Sequence, residues 1–187
     1  MPVEPPAEAD WVVSLLRIQQ LVARYALAVD SRDLDTLVSL FVPDVMVGRG
    51  GQGREALRNW YAKALRSVGA TIHLVANHTV DIEGNAAQGI LYCREEVEHP
   101  DSGEWRIGML QYWDDYELVD GAWLFLRRRV QRWYSVDALD RPQRGTRDGG
   151  GWTPEGALPE SFATWGEFQR TSSPKVAKNV GSSHTIE

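Results

Sequence analysis

Residues 71–80, TIHLVANHTV, combine the pattern of a β-strand with side chains that can move protons. Successive side chains of a strand point to opposite faces, so alternation predicts that His73 and Asn77 share one face and that His78 lies on the other. An unpaired polar group buried on such a face would cost about 1–3 kcal/mol. An imidazole with an ordinary pKa near 6.5 accepts protons readily near neutral pH. We therefore interpret His73 as a candidate general base and Asn77 as a candidate substrate-binding residue.

The charge pattern argues against several classes of function. The chain has a net charge of -6, and its one basic block is Arg127–Arg129, whose members alternate faces in a strand. We therefore expect no nucleic-acid partner. The four histidines are dispersed and no H-x-x-H or C-x-x-C motif is present, so we predict neither a metal nor a cofactor. The glycine-rich run GRGGQG lacks the lysine of a phosphate-binding loop.

The sequence also favours a cytoplasmic location. A single cysteine, Cys93, excludes an internal disulfide framework. There is no run of 18 apolar residues, and the N-terminus, MPVEPPAEAD, is acidic and rich in proline, unlike a secretion signal. We therefore expect a cytoplasmic protein that does not enter a membrane.

Hydrophobic periodicity changes once along the chain, from 3.6 residues to 2, near Gly69. The first part predicts long helices over 10–31 and 54–68, a short helix that ends before Pro43, and a short strand in DVMVG. The second part predicts four strands separated by the turn sequences EGNA, HPDSGE and VDGA, over 71–83, 86–98, 104–119 and 122–135. Helices followed by a meander of strands indicate an α+β fold with an antiparallel sheet.

Composition divides the chain into three parts. Residues 1–9 are predicted to be a flexible leader, 10–139 one domain, and 140–187 a C-terminal extension with a frayed end. The extension carries aromatic residues that we expect to pack on the domain or on a partner subunit, as a lid or docking segment: Trp152, Phe162, Trp165 and Phe168.

Three segments resemble a known family: YALAVDSRDLDTLVSLFVPDV, TIHLVANHTV and YELVDGAWLF. Together they are similar to the SnoaL-like branch of the nuclear transport factor 2-like superfamily, over roughly 11–135. The resemblance implies a cone-shaped, curved antiparallel sheet wrapped by helices, with a pocket inside. Members include dehydratases, a dehydrochlorinase, isomerases, polyketide cyclases, an epoxide hydrolase and non-catalytic subunits, so the fold alone does not decide the function.

Two positions resemble the catalytic pair of scytalone dehydratase and hexachlorocyclohexane dehydrochlorinase. They are Asp30, in VDSRD, and His73, in TIH. The chain departs from scytalone dehydratase at the second pocket histidine, where it has Leu91, and at the tyrosine before the aspartate, where it has Val29. The resemblance implies that Asp30 orients His73 as a base. The predicted substrate-binding residues are Tyr25, Asn77, Tyr112 and Arg129.

Three classes of function remain open. The first is a cofactor-independent lyase or isomerase acting on a hydrophobic, cyclic small molecule such as a polyketide, steroid or terpenoid. The second is an epoxide hydrolase or cyclase with an Asp–Arg–Asp cluster drawn from YWDDY and RRR. The third is a non-catalytic ligand-binding protein or subunit, like the small subunit of aromatic-ring dioxygenases. In each case we expect a homo-oligomer, a dimer or trimer, with a dimer formed through the convex face of the sheet.

Overall fold

The protein is a layer of helices against one antiparallel sheet. The computed structural model describes residues 8–139 and, beyond them, the helical residues 163, 164, 167 and 170. The helices are α1 (Glu8–Asp30), α2 (Leu34–Ser39) and α3 (Arg54–Arg66), with a single 3-10 turn at Gly48–Gly50. The strands are β1 (Thr71–Glu83), β2 (Ala86–His99), β3 (Glu104–Val119) and β4 (Ala122–Asp137).

The four strands pair in the order β1-β2-β3-β4, each antiparallel to the next. Two of the connections are tight turns at Gly84 and Gly121, which have φ values of 59° and 79° that glycine adopts without steric cost. The predicted α+β fold is therefore confirmed. The predicted strand in DVMVG is wrong, because Met46 there makes only an isolated bridge to Gln52.

The core lies between α1 and the inner face of the sheet. Helical spacing brings one side of α1 onto the strands, through Ile18, Leu21, Val22, Tyr25 and Val29. The segment Asp10–Asp30 is long and apolar enough to cross a membrane by length and composition. Its buried side chains belong to the domain core, however, so α1 is accounted for as the central helix of the fold.

Irregularities in the sheet change which side chains point inward. The pairing of β1 with β2 shifts between Val75 and His78, so His78 pairs with Leu91 and joins His73 on the inner face. The predicted face assignment is therefore wrong beyond Val75, and Asn77 is exposed in the bulge.

A second shift, between β3 and β4, selects one arginine of the basic block. It lies between Asp115 and Tyr116 and places Arg128 on the inner face, opposite Asp114. Arg129 lies on the outer face, opposite Trp113. The prediction that Arg129 faces the pocket is wrong for this reason.

Two sequence predictions fall outside the described residues. These are most of the flexible leader, 1–9, and the C-terminal extension, 140–187, with its proposed lid. The lid therefore stays a prediction.

Candidate active site

The C-terminal turn of α1 directs the side chain of Asp30 towards β1. The helix closes with a Schellman motif, in which Asp33 N donates to Ala28 O at 2.9 Å and Arg32 N donates to Val29 O at 3.1 Å. Arg32 occupies the left-handed position of this motif, with φ 62°. The turn leaves Asp30 as the last helical residue, facing the first residues of β1.

Asp30 and His73 form a short hydrogen-bonded pair. His73 Nδ1 lies 2.7 Å from Asp30 Oδ1, and the backbone N–H of His73 donates to Asp30 Oδ2 at 2.8 Å. Both carboxylate oxygens therefore contact the same residue, which fixes the imidazole in position and in tautomer. Within the described part of the chain, Nε2 of His73 has no hydrogen-bond partner, and His73 lines a cavity.

The pKa of Asp30 lies below its ordinary value. Burial acts to raise the pKa, but it is outweighed by hydrogen bonds from the side chain and backbone of His73, by the charge of His73, and by a hydrogen bond from Thr71. Asp30 is therefore an anion at neutral pH.

Arg32 and Thr71 brace this pair. The Arg32 guanidinium donates to Thr71 Oγ1 at 2.7 Å, to Val29 O at 2.9 Å and to Gly69 O. Thr71 Oγ1 in turn donates to Asp30 Oδ1 at 2.9 Å. The positively charged side chain therefore ties the end of α1 to the start of β1, a role that was not predicted from the sequence.

His73 opens into a cavity of about 650 Å³. One wall is apolar and aromatic and comes mainly from α1 and α3, including Tyr25, Val29, Trp60, Tyr61 and Leu65. The other wall comes from the strands and carries most of the polar and charged side chains, including His73, Glu95, Arg106, Tyr112 and Arg132. A mostly apolar cavity with a few convergent polar groups is typical of a small-molecule site.

A salt bridge between Glu95 and Arg132 crosses the strand wall of the cavity. Glu95 is 5% exposed and lies on β2, and Arg132 reaches it from β4. Gly108 of β3 lies between them, and a Cβ atom there would come within 2.7 Å of Glu95 Cγ and Oε1. The absence of a side chain at Gly108 therefore provides the space through which the Glu95 carboxylate reaches Arg132.

A second ion pair is buried behind the aromatic wall. Arg128 and Asp114 have side chains that are 4% and 0% exposed and form two hydrogen bonds of 2.8 and 2.6 Å. The Arg128 guanidinium carbon lies about 4.1–4.2 Å from the ring centres of three aromatic residues, namely Tyr25, Tyr112 and Phe125. Burial opposes the charge, but Asp114 raises the pKa of Arg128 well above its ordinary value, so Arg128 keeps its positive charge.

His78 belongs to this second network. Tyr116 Oη donates to Asp114 Oδ2 at 2.8 Å and has one proton, so at 3.1 Å it accepts from His78 Nε2. Burial lowers the pKa of His78, which keeps it neutral. The two histidines of TIHLVANHTV therefore share a face but have different partners, a carboxylate for His73 and a phenol for His78.

The structure brings together some of the predicted site residues and separates others. Tyr25, His73 and Tyr112 line the cavity, and Asp30 lies behind His73. Asn77 and Arg129 are exposed and do not line it. No role was predicted for Glu95 or Arg132 from the sequence. Glu95 lies four residues after Leu91 in β2, so alternation places both on one face, whereas a β4 with Arg129 inward would have placed Arg132 outward.

The Asp–Arg–Asp cluster considered from YWDDY and RRR does not form among the described residues. Asp114 points inward to Arg128, whereas Asp115 points outward and pairs with Arg127 at 2.6 Å. Among the described residues there is also no group of three or more His, Cys, Asp or Glu side chains able to hold a metal ion. Cys93 is a free buried thiol whose pKa is raised by burial to about 12.

The fold and the cavity define a cone-shaped α+β domain with an interior pocket. The SnoaL-like domain family matches residues 14–129, so the chain belongs to that family. An uncharacterised protein of Mycobacterium tuberculosis (strain H37Rv) is 29% identical over 119 residues, which is 60% of this chain and 81% of the relative.

Two solved structures share the fold. A candidate scytalone dehydratase from Novosphingobium aromaticivorans is 23% identical with a TM-score of 0.61, over 70% of this chain and 91% of the other. A hexachlorocyclohexane dehydrochlorinase of type 3 from Novosphingobium barchaimii is 20% identical with a TM-score of 0.64, over 71% and 95%. At these identities the likeness establishes the fold alone.

Proposed function

We propose that the protein is a cofactor-independent lyase or isomerase of hydrophobic cyclic small molecules, with His73 as the general base and Asp30 as the residue that orients it. The observation that carries the proposal is the 2.7 Å contact between His73 Nδ1 and Asp30 Oδ1, made in the wall of the 650 Å³ cavity. A carboxylate on one ring nitrogen leaves the other as the proton acceptor and stabilises the imidazolium that forms.

In this reaction, Nε2 of His73 takes a proton from a carbon next to an electron-withdrawing group. The electron pair of the broken C–H bond forms a carbon–carbon double bond. In an elimination, a neighbouring halide leaves with its bonding pair, or a hydroxyl leaves as water after His73 returns the proton to its oxygen. In an isomerisation, His73 returns the proton to another carbon.

The aromatic wall supports the choice of substrate class. Tyr25, Tyr61 and Tyr112 lie around the cavity together with Trp60, and such rings bury the faces of a cyclic hydrocarbon skeleton. Burial raises the pKa values of Tyr61 and Tyr112 well above the ordinary range, so these phenols stay protonated. They can donate hydrogen bonds but do not compete with His73 as bases.

The names of the two structural relatives agree with this class, because one is described as a candidate dehydratase and the other as a dehydrochlorinase. The remaining alternative is a non-catalytic ligand-binding subunit, which would use the same cavity without proton transfer.

Proton transfer can be tested without knowing the natural substrate. In D₂O, 1-tetralone exchanges the protons next to its carbonyl group when a base removes them, and NMR follows the loss of signal. We expect the wild-type protein to accelerate this exchange and His73→Ala to abolish it. Asp30→Asn should slow it by about 10²–10⁴, by analogy with other His–carboxylate pairs.

Asp81→Asn is the matched control, because Asp81 is an exposed carboxylate on the same strand as His73. This variant should catalyse the exchange of 1-tetralone at the wild-type rate. Binding of 1-tetralone without accelerated exchange would reject the enzymatic proposal and favour the binding subunit. If exchange occurs, 3-hydroxy-1-tetralone then tests elimination, because loss of water from it gives fluorescent 1-naphthol.

A further inference from the structure

The strand wall of the cavity carries a second polar element beside His73. Glu95 is the direct partner of His73 across β1 and β2, so their Cβ atoms are about 4.5–5.5 Å apart. The Glu95 carboxylate nevertheless bonds to Arg132, two strands away, through the space left by Gly108. The cavity volume next to His73 is therefore bounded on one side by the Glu95–Arg132 pair.

Arg132 has hydrogen-bonding capacity that Glu95 does not use. Its side chain is 44% exposed, compared with 7% for Glu95. A guanidinium has five N–H donors, and Nη1 and Nη2 of Arg132 both contact the single Glu95 carboxylate. Glu95 therefore holds the guanidinium in place at the cavity wall while other N–H groups remain available to a ligand.

We propose that Arg132, held by Glu95, is a specificity-determining residue that binds a carbonyl oxygen of the substrate, which makes the substrate a cyclic ketone. This inference rests on the proposed function, because it takes His73 as the base. When Nε2 removes the proton from the carbon next to the carbonyl group, the C–H electron pair forms the carbon–carbon double bond of an enolate. The carbonyl π electrons move to the oxygen, whose negative charge Arg132 stabilises.

The charge of the pair selects a neutral oxygen over a carboxylate. Glu95 and Arg132 together carry no net charge, so a second carboxylate bound to Arg132 would lie beside that of Glu95 and be repelled by it. A ketone oxygen accepts hydrogen bonds without carrying a charge in the ground state. The negative charge appears only as the proton leaves, which is when a cationic donor contributes to catalysis.

The test compares two ligands that differ in one oxygen atom. Isothermal titration calorimetry would measure the affinity of the protein for 1-tetralone and for tetralin, which has the same two rings without the carbonyl group. We expect the wild-type protein to bind 1-tetralone about fivefold to tenfold tighter. In Arg132→Gln the ratio of affinities should fall to about one, with the tetralin affinity unchanged within about twofold.

Two further variants keep the test decisive. Arg132→Gln leaves Glu95 buried without its cation, so the double variant Glu95→Gln/Arg132→Gln provides a second measurement with no unpaired charge. Arg129→Gln is the matched control, because Arg129 is an exposed arginine on the outer face of the same strand, and it should keep the wild-type ratio. The proposal is overturned if the wild-type protein has no preference for 1-tetralone, or if the preference survives in the double variant.

The outcome for His73 is separate. His73→Ala should keep the preference for 1-tetralone while losing proton exchange. The affinity ratio therefore tests carbonyl binding by Arg132, and the exchange rate tests proton removal by His73, so that either result can fail without the other.

Discussion

His73 and Glu95 are direct partners across β1 and β2, yet the two side chains have different charge partners. His73 bonds back to Asp30 at the end of α1, and Glu95 reaches forward to Arg132 on β4. If Glu95 instead paired with His73, a second carboxylate would compete with Asp30 for the imidazole. The glycine at position 108 prevents this, because it provides the path along which Glu95 turns away.

Arg32 is predicted to position Asp30 at a conformational cost. A non-glycine residue in the left-handed region costs about 1–2 kcal/mol, and here the guanidinium offsets it with bonds to three partners. Arg32→Ala removes the guanidinium hydrogen bonds but keeps a side chain in the left-handed conformation, with its conformational cost. Arg32→Gly removes the same hydrogen bonds and also the conformational cost, because glycine adopts this conformation freely. We expect the glycine variant to be more stable than the alanine variant by about 1 kcal/mol in urea unfolding.

Both Arg32 variants should slow the tetralone exchange, since neither braces Asp30. Arg58→Ala, which removes an exposed arginine paired with Asp35, should leave the exchange rate unchanged. If both Arg32 variants catalyse exchange at the wild-type rate, Arg32 does not position Asp30.

The lowered pKa of Asp30 predicts a specific acid dependence of stability. Its folded pKa lies below the ordinary value of 3.8, so the carboxylate contributes stability that is fully present above that value and is lost as the pH falls through the folded pKa. The difference in unfolding free energy between wild type and Asp30→Asn should not shrink from pH 7 to 5 and should shrink below about pH 3.8. A difference that shrinks between pH 7 and 5 would mean that the folded pKa is raised instead.

The buried Arg128–Asp114 pair is predicted to support stability only as a complete pair. Removing one partner leaves a buried charge uncompensated, so Asp114→Leu should destabilise the protein by about 3–5 kcal/mol. The double variant Asp114→Leu/Arg128→Met should recover much of that loss. The control Asp115→Leu breaks an outer-face pair whose arginine is 59% exposed and should cost about 1 kcal/mol or less. Urea unfolding of the four proteins tests this order, and equal costs for Asp114→Leu and Asp115→Leu would contradict it.

The outer face of the sheet is predicted to form a homodimer. Ile72 and Leu74 alternate outward from β1 and are 42% and 53% exposed, and Trp105 lies outward on β3. Apolar side chains grouped on one face are often covered by a partner. Light scattering at micromolar concentration should give twice the mass of the chain, and Leu74→Asp should reduce it. A monomeric wild type would reject the dimer.

The sequence predicted the elements well because their periodicity is long and regular. The four strands were placed within one or two residues of their observed ends. The Asp30–His73 contact was expected because two short motifs resemble those of known enzymes, although the two residues are 43 positions apart.

The errors in assigning side chains to the two faces of the sheet have one physical origin, which is the register of the sheet. A bulge at 76–77 moved His78 inward, and another irregularity selected Arg128 in place of Arg129. Alternation cannot locate such bulges, because one inserted residue reverses the face of every residue after it. The Glu95–Arg132 pair was missed for a related reason: it depends on which residues of β2, β3 and β4 lie side by side, and on a glycine between them.

The proposed catalysis requires that Nε2 of His73 is an open base and that Asp30 holds the other ring nitrogen, Nδ1. Alkylation by 2-bromoacetophenone, followed by peptide mass spectrometry, measures this directly, because a neutral imidazole nitrogen displaces the bromide and the adduct marks the histidine. The buried Cys93, with a pKa of about 12, should compete little as a thiolate. We predict that His73 is labelled first, that 1-tetralone slows its labelling, and that Asp30→Asn reduces the rate at least about tenfold, because an asparagine amide can hold the ring in the opposite tautomer. Labelling of His99 or His78 ahead of His73, or an unchanged rate in Asp30→Asn, would contradict the account.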